Sequence, residues 1–239
     1  MTSLSASDPH YWAPVPQVLA KLEHQYSGGR VLDVGPGHSP LPWATASVDF
    51  VNAPGAINPT ICDLTRDPLP FADKSFDLVF CRHLLEDSWN PFPICAEMER
   101  VGKAGYIETP SPICELTRGV DGGGSPPYRG YFHHRFIVWV DGDDLRFVSK
   151  YPLVEHLSFS DGEEALAQAL RSGPKYWNTY YHWNDRIKWR HLQAPLDFEI
   201  MRDYGNVLRD AMEKSAIATN EFWSDIPVET VPSIQRAYA

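Results

Sequence analysis

The stretch Val31-Leu32-Asp33-Val34-Gly35-Pro36-Gly37 decides the fold class of this 239-residue chain. A short apolar run that opens directly into a glycine turn is typical of the first strand and loop of a nucleotide-binding α/β sheet. Glycine allows the tight turn and lets the backbone approach a ligand closely. A dinucleotide-binding loop has a third glycine three residues after Gly37, but Pro40 stands there, which disfavours a nicotinamide cofactor.

The residues that follow this stretch alternate between short strands, helices and loops. Residues 76–81 are apolar apart from Asp77, which is typical of a parallel strand covered on both faces. A helix is predicted over residues 93–101 and a further strand over residues 106–109. Strands that alternate with helices predict an α/β fold with a mostly parallel sheet.

The second half of the chain has a different pattern. Residues 118–130 are rich in glycine and proline and predict an irregular loop, which is a candidate lid. Residues 135–140 and 145–148 flank an acidic turn and predict a β-hairpin.

Beyond the hairpin, aromatic residues recur at spacings that predict helices. Trp177, Tyr180 and Tyr181 would share one helical face, either in the core or as the wall of an acceptor pocket. We therefore predict a core over residues 1–155, with an N-terminal helix and the hairpin. Residues 156–239 are predicted as an aromatic-rich C-terminal helical extension that packs on this core as pocket wall or lid.

Composition excludes several classes of partner. The formal net charge of −10 repels phosphate backbones, so neither nucleic acid nor a membrane surface is an expected partner. Residues 1–10 lack the basic start and apolar run of a signal peptide, and the four cysteines form no C-x-x-C pair. We expect a cytoplasmic protein with reduced thiols.

Two further carboxylates follow the glycine loop in order. Asp49 ends the predicted second strand, where an acidic residue of a nucleoside-binding sheet accepts hydrogen bonds from ribose hydroxyls. Asp63 ends the predicted third strand, within reach of an adenine edge. Alone, Asp33 is equally well explained as a turn cap and Asp49 as a solvated loop acid. The ordered set favours a nucleoside cofactor site.

Several segments, in this order, resemble class I S-adenosylmethionine-dependent methyltransferases of the type-11 kind. The segments that carry the resemblance are 31–37, 63–71 (D-L-T-R-D-P-L-P-F), 75–79 (S-F-D-L-V), 83–87 (H-L-L-E-D), 97–101 (E-M-E-R-V) and 106–110 (Y-I-E-T-P). The resemblance covers roughly residues 31–111. His38-Ser39-Pro40 departs from the small residues usual after the second glycine, and Asp87 replaces a common histidine.

The resemblance implies a Rossmann-like, mostly parallel seven-stranded sheet with helices on both faces. S-adenosylmethionine would bind at the carboxyl ends of its strands. The residues implied to hold it are Asp33, Gly35 and Gly37 at the methionine end, Asp49 at the ribose, and Asp63 with Leu64 at the adenine.

Methyl transfer needs an aligned, desolvated nucleophile, and it needs a base only when the acceptor must lose a proton. Histidine titrates near neutrality and suits that task. The candidate bases are His83, His133 and His134, with His182 a further possibility, and each is otherwise a histidine bonded to backbone. A metal site built from His133, His134, His182 and Asp185 has no recognised ligand spacing, so no metal is expected.

These observations predict an S-adenosylmethionine-dependent methyltransferase that acts on a small-molecule or glycan-type acceptor, with O-methylation favoured. The alternative from another class is a non-catalytic methyltransferase-like scaffold or subunit that only binds the cofactor. A nicotinamide-dependent oxidoreductase is the third interpretation, and Pro40 disfavours it.

Overall fold

The computed structural model describes residues 14–121, 128–159, 162–193 and 199–226. The chain divides into two compact units. The glycine-loop unit comprises Pro16–Thr109 and Tyr180–Lys188. The hairpin unit comprises Met1–Val15, Pro110–Thr179 and Trp189–Ala239. The predicted division into residues 1–155 and 156–239 stays a prediction, and residues 122–127 of the predicted lid lie outside the described residues.

A six-stranded sheet in the order β3-β2-β1-β4-β5-β8 builds the glycine-loop unit. Its strands are β1 (Val31–Val34), β2 (Ala46–Asp49), β3 (Pro59–Ile61), β4 (Leu78–Arg82), β5 (Ala104–Pro110) and β8 (Asn178–Asn184). β1 pairs in parallel with β2 and β4, and the pairs β2–β3 and β4–β5 are also parallel. The predicted α/β class and mostly parallel sheet are confirmed, whereas the described residues contribute six strands to the sheet instead of the predicted seven.

The central strands β1 and β4 are buried at every position, which explains why their sequences are apolar apart from Asp33 and Arg82. The helices of this unit are α1 (Pro16–Gln25) and α2 (Pro91–Val101). α2 starts earlier than predicted because Pro91 and Pro93 lie in its first turn, where a fixed φ suits the helix and no N–H is needed. The helix ends at Gly102, where there is no room for a side chain because a Cβ would lie 2.5 Å from Val79 Cγ2.

The connection from β1 to β2 differs from an ordinary crossover. Within the described range, residues 35–45 contain turns and no helix. The loop passes from Gly35 and Gly37, both at positive φ (69° and 49°), directly to β2. The ends of β1 and β2 are therefore bordered by loop backbone rather than by the N-terminus of a helix.

The hairpin unit contains a three-stranded sheet in the order β6-β7-β9. β6 (Phe136–Asp141) and β7 (Asp144–Ser149) are antiparallel, and Gly142 takes φ 60° in the two-residue turn between them. The predicted hairpin is confirmed. β9 (Trp189–Leu192) pairs with β7. Among the described residues, the unit also contains the α-helices α3 (Pro112–Leu116), α4 (Gly162–Arg171) and α5 (Ile200–Phe222) and the short 3-10 helices Pro152–His156 and Pro174–Tyr176.

The prediction of helix through the aromatic segment is wrong, because residues 178–184 form β8 and residues 189–192 form β9. Aromatic residues pack well on a pleated sheet, and this tertiary environment overrides a helix-like spacing. Trp183 lies over Gly105 of β5, where any Cβ would approach the indole to 2.4 Å. The aromatic segment therefore extends the sheet instead of forming a helical face.

All four cysteines are buried and free, as expected for reduced thiols. Among the described residues, no helix is both long and apolar enough to cross a membrane.

Candidate functional site

Asp33 lies on the central strand β1 and is 2% exposed. Its Oδ2 accepts a hydrogen bond from the Leu41 backbone N–H at 2.7 Å. Burial raises the pKa of Asp33 to about 7; the neighbouring Asp49 charge acts in the same direction, while the Leu41 hydrogen bond and the Arg82 charge oppose it. A carboxyl group with this pKa is poised to change charge when a cation comes close.

The glycine loop is fastened to the end of β2. Gly37 donates its backbone N–H to Asp49 Oδ2 at 3.1 Å, and Gly35 donates to the Val48 carbonyl at 2.9 Å. Gly35 also lies close to Leu84, whose side chain would be 3.0 Å from a Cβ at that position. The structure therefore brings Gly35, Gly37 and Asp49 together at the ends of β1 and β2.

Asp63 and Leu64 follow β3 in the same unit. Asp63 Oδ1 accepts hydrogen bonds from the Thr65 backbone N–H (3.0 Å) and hydroxyl (2.6 Å), which lower the pKa of Asp63. Leu64 is buried at 8% exposure. Asp63 thus caps a local turn, which is a structural role. Its other carboxylate oxygen, Oδ2, lies 3.6 Å from Arg66 Nε.

A buried ion pair connects the ends of β4 and β5. The Nε and Nη2 atoms of Arg82 lie 3.0 and 2.9 Å from Glu108 Oε1, and the Tyr106 hydroxyl donates to Glu108 Oε2. Burial and the Glu108 charge raise the pKa of Tyr106 well above its ordinary value. This network fixes the ends of β4 and β5, and the candidate base His83 follows directly after β4.

His83 follows β4 in the left-handed region, with φ 49°. Its backbone N–H donates to the Glu108 carbonyl at 2.9 Å. Both ring nitrogens face carboxylates: Nδ1 lies 3.2 Å from Glu86 Oε1 and Nε2 lies 3.8 Å from Glu108 Oε1. Non-glycine residues in this conformation cluster at functional sites. The Nδ1–Glu86 distance is that of a hydrogen bond, whereas the Nε2–Glu108 distance is longer than one.

His134 lies in the hairpin unit, in the turn before β6, and is 8% exposed. Its Nδ1 is 2.6 Å from Oε1 of Glu115, which is fully buried on α3. Lys150 Nζ lies 2.5 Å from the other Glu115 oxygen. Although burial alone raises it, Lys150 and His134 lower the pKa of Glu115 to about 2.

His133 is exposed, and its ring contacts the rings of Phe132 and His134 at centroid distances of 5.5 and 4.6 Å. His182 lies elsewhere, with Nε2 2.7 Å from the Tyr26 hydroxyl. The Asp185 carboxylate pairs with Lys74 at 3.0 Å. His182 and Asp185 are therefore engaged in contacts of their own, which gives no support to a metal site that includes them.

Sequence reasoning missed Arg82, Tyr106, Glu108 and Glu115. The ends of β4 and β5 are marked in sequence by a polar residue after an apolar run, so Arg82 and Glu108 carried a usable signal. The sequence around Glu115 carried no such signal, because its partners His134 and Lys150 are distant in sequence.

Residues 17–107 match the family model described as the methyltransferase domain. The matched stretch contains the glycine loop, Asp49, Asp63 and the strands β1–β4. Over these residues the chain is similar to that domain, which agrees with the resemblance described above. No curated protein matches the chain.

Solved structures resemble parts of this chain. A candidate methyltransferase from Bacillus halodurans is 24% identical over 39% of this chain and 51% of its own, with a TM-score of 0.32. An S-adenosylmethionine-dependent methyltransferase from Mesorhizobium loti is 17% identical over 47% of this chain and 63% of its own length, with a TM-score of 0.34. A protein from Pyrococcus horikoshii is 16% identical over 70% of this chain and 87% of its own length, with a TM-score of 0.38. The chain therefore spans only about half of the first of these proteins and less than two thirds of the second.

Proposed function

We propose that this chain transfers the methyl group of S-adenosylmethionine to a hydroxyl oxygen of a small-molecule or glycan-type acceptor. One observation carries the proposal. Inside the stretch that matches the methyltransferase domain, the glycine loop is hydrogen-bonded to the Asp49 carboxylate at the ends of β1 and β2. Open α/β sheets bind nucleoside ligands at the carboxyl ends of their strands.

The residues present fit this cofactor. A Cβ placed on Gly37 would meet nothing within 4 Å, so a ligand has room to approach the loop backbone. Asp49 is half-buried, and each of its oxygens has further lone pairs to accept bonds from ribose hydroxyls. Asp33 would face the methionine ammonium group, and Asp63 with Leu64 would border the adenine.

The chemistry divides between the cofactor and the protein. Bound S-adenosylmethionine supplies a methyl carbon on sulfur; the acceptor oxygen bonds to that carbon while the C–S bond breaks and its electron pair stays on sulfur. The chain holds the acceptor in line, excludes water and removes the hydroxyl proton. His83, His133 and His134 are the proposed groups for proton handling.

The proposed acceptor class rests on charge and on proton handling. A net charge of −10 disfavours a polyanionic acceptor such as nucleic acid. Histidines that contact carboxylates are useful for a hydroxyl acceptor, which must lose a proton, whereas a neutral amine attacks through its own lone pair.

A labelled-methyl screen tests this function. The full chain is incubated with tritiated S-adenosylmethionine and, in separate reactions, catechol, methyl glucoside and a primary amine, with Asp49→Ala as the control for cofactor-dependent labelling. We expect label in a hydroxyl compound and far less with Asp49→Ala. Label in the amine alone would contradict O-methylation. Cofactor binding without labelling of any acceptor would favour the non-catalytic scaffold.

A further inference from the structure

Three exposed rings lie together on the segment that precedes β6. Phe132 is 71% exposed and Tyr128 is 50% exposed, and their ring centroids are 6.3 Å apart. The exposed His133 ring lies 5.5 Å from the Phe132 ring, at an interplanar angle of 81°. We call these three residues the aromatic surface, and all of them belong to the hairpin unit. Single exposed apolar residues are ordinary, whereas adjoining exposed rings indicate a binding surface.

The backbone of this segment is fixed at several points within the hairpin unit. Lys150 Nζ donates hydrogen bonds to the carbonyls of Arg129 (3.0 Å) and Tyr131 (2.7 Å). The Gly130 N–H donates to the Thr117 carbonyl at 2.8 Å. Because the backbone is already ordered, the aromatic surface can bind a ligand with a smaller loss of conformational entropy than a mobile loop would have.

Close packing on α3 holds the same segment and turns its one arginine inward. Gly130 has φ 56°, and a Cβ there would lie 2.6 Å from the Cα of Glu115. Arg129 is 1% exposed; its guanidinium donates to the Leu157 carbonyl at 2.9 Å and to Glu163 Oε2 at 3.0 Å. The arginine charge is therefore used inside the unit and is not part of the aromatic surface.

The residue types of the segment indicate which ligand the aromatic surface suits. Residues 128–134 read Tyr-Arg-Gly-Tyr-Phe-His-His and contain no carboxylate or amide side chain that could bind the several hydroxyl groups of a sugar. Aromatic rings pack favourably on other rings in offset or edge-to-face arrangements. An uncharged aromatic ring therefore fits best, and the Tyr128 hydroxyl can donate to or accept from a hydroxyl group on that ring.

From these observations we propose that the aromatic surface binds the methyl acceptor, and that this acceptor is a phenol. The inference rests on the proposed function and narrows its acceptor class from small molecules and glycans to compounds that carry a hydroxyl group on an aromatic ring. Phe132 would stack on the acceptor ring, and Tyr128 and His133 would contact its edges. Burial of these exposed rings against the ligand provides the favourable free energy of binding.

The experiment measures the binding of 4-fluorophenol to the full chain without S-adenosylmethionine, by fluorine-19 line broadening. Phe132→Ala removes the ring that contacts the other two, and Phe132→Tyr keeps it. Ile217→Ala is the matched control, because Ile217 is a 51% exposed apolar residue on α5 in the same unit. Methyl glucoside is added as a competitor.

We expect 4-fluorophenol to bind wild type, and Phe132→Ala to weaken this binding by about 3- to 10-fold because the stacked ring is lost. Phe132→Tyr and Ile217→Ala should bind the phenol within about twofold of wild type. An excess of methyl glucoside should not displace the phenol. Phe132 is largely exposed, so its replacement leaves the core of the unit intact.

Three results would overturn the inference: no binding of 4-fluorophenol to wild type, its displacement by methyl glucoside, or a Phe132→Ala affinity within about twofold of wild type. If the phenol does not bind and Phe132→Ala lowers the molar mass measured by light scattering, the aromatic surface is instead a contact between two copies of the chain. Since binding is measured without the cofactor, a wild type that binds the phenol but labels no acceptor contradicts the proposed function alone.

Discussion

The backbone N–H of Gly37 donates a hydrogen bond to Oδ2 of Asp49 at 3.1 Å, joining the loop after β1 to the end of β2. No helix intervenes between these strands in the described residues 35–45. The connection from β1 to β2 therefore offers a ligand loop backbone and carboxylates, and no helix begins within residues 35–45. For the proposed cofactor site, we expect the carboxylates to contribute much of the binding.

Asp49→Ala should weaken S-adenosylmethionine binding by on the order of 1.5–3 kcal/mol, because charge-assisted hydrogen bonds to the ribose are lost. Asp49→Asn is the matched variant, since its amide oxygen still accepts from Gly37 and the loop stays in place. Calorimetric titration measures both. An Asp49→Ala affinity equal to wild type would show that Asp49 is not the ribose acid.

Asp33→Asn should stabilise the protein at high pH. The folded pKa of Asp33, about 7, lies above its ordinary value of 3.8, so folding takes up a proton between these limits. The contribution of Asp33 to stability is fully present below pH 4 and is lost as the pH rises towards 7. We expect Asp33→Asn to gain about 1–2 kcal/mol at pH 8 and less at pH 5.

Urea unfolding at pH 5 and pH 8 measures this effect on both proteins. Asn can still accept the Leu41 hydrogen bond, so packing is preserved. A gain that is the same at both pH values would mean that titration of Asp33 is not its cause.

Arg82→Met should destabilise the protein by about 3–5 kcal/mol, because it leaves the Glu108 carboxylate buried without its cation. The two side chains are only 7% and 1% exposed, so water does not replace the lost partner. The double variant Arg82→Met/Glu108→Gln should lose less than the sum of the single changes. Additive losses in denaturant unfolding would contradict a coupled pair.

Gly105→Ala should destabilise the sheet by about 1–3 kcal/mol, because the new methyl group would collide with the Trp183 indole. The second change Trp183→Leu should recover part of that loss by making room. Melting temperatures of the three variants and wild type test the contact. An unchanged melting temperature for Gly105→Ala would show that Trp183 does not lie over Gly105.

Much of the glycine-loop unit could be predicted from local sequence. The apolar run through Val34 and the glycine turn are short-range signals. In the hairpin unit, the acidic turn that contains Gly142 is a short-range signal as well. The aromatic segment could not be predicted, because its strand conformation depends on a neighbour, Gly105, that is distant in sequence. The contact between Glu115 and His134 could not be predicted for the same reason, because it joins residues that are distant in sequence.

We propose that the glycine loop and Asp49 bind S-adenosylmethionine. Calorimetric titration of the full chain with S-adenosylmethionine, S-adenosylhomocysteine and NAD measures this binding. We expect micromolar binding of the first two ligands and none of NAD. Binding of NAD, or no binding of either S-adenosyl compound, would contradict it.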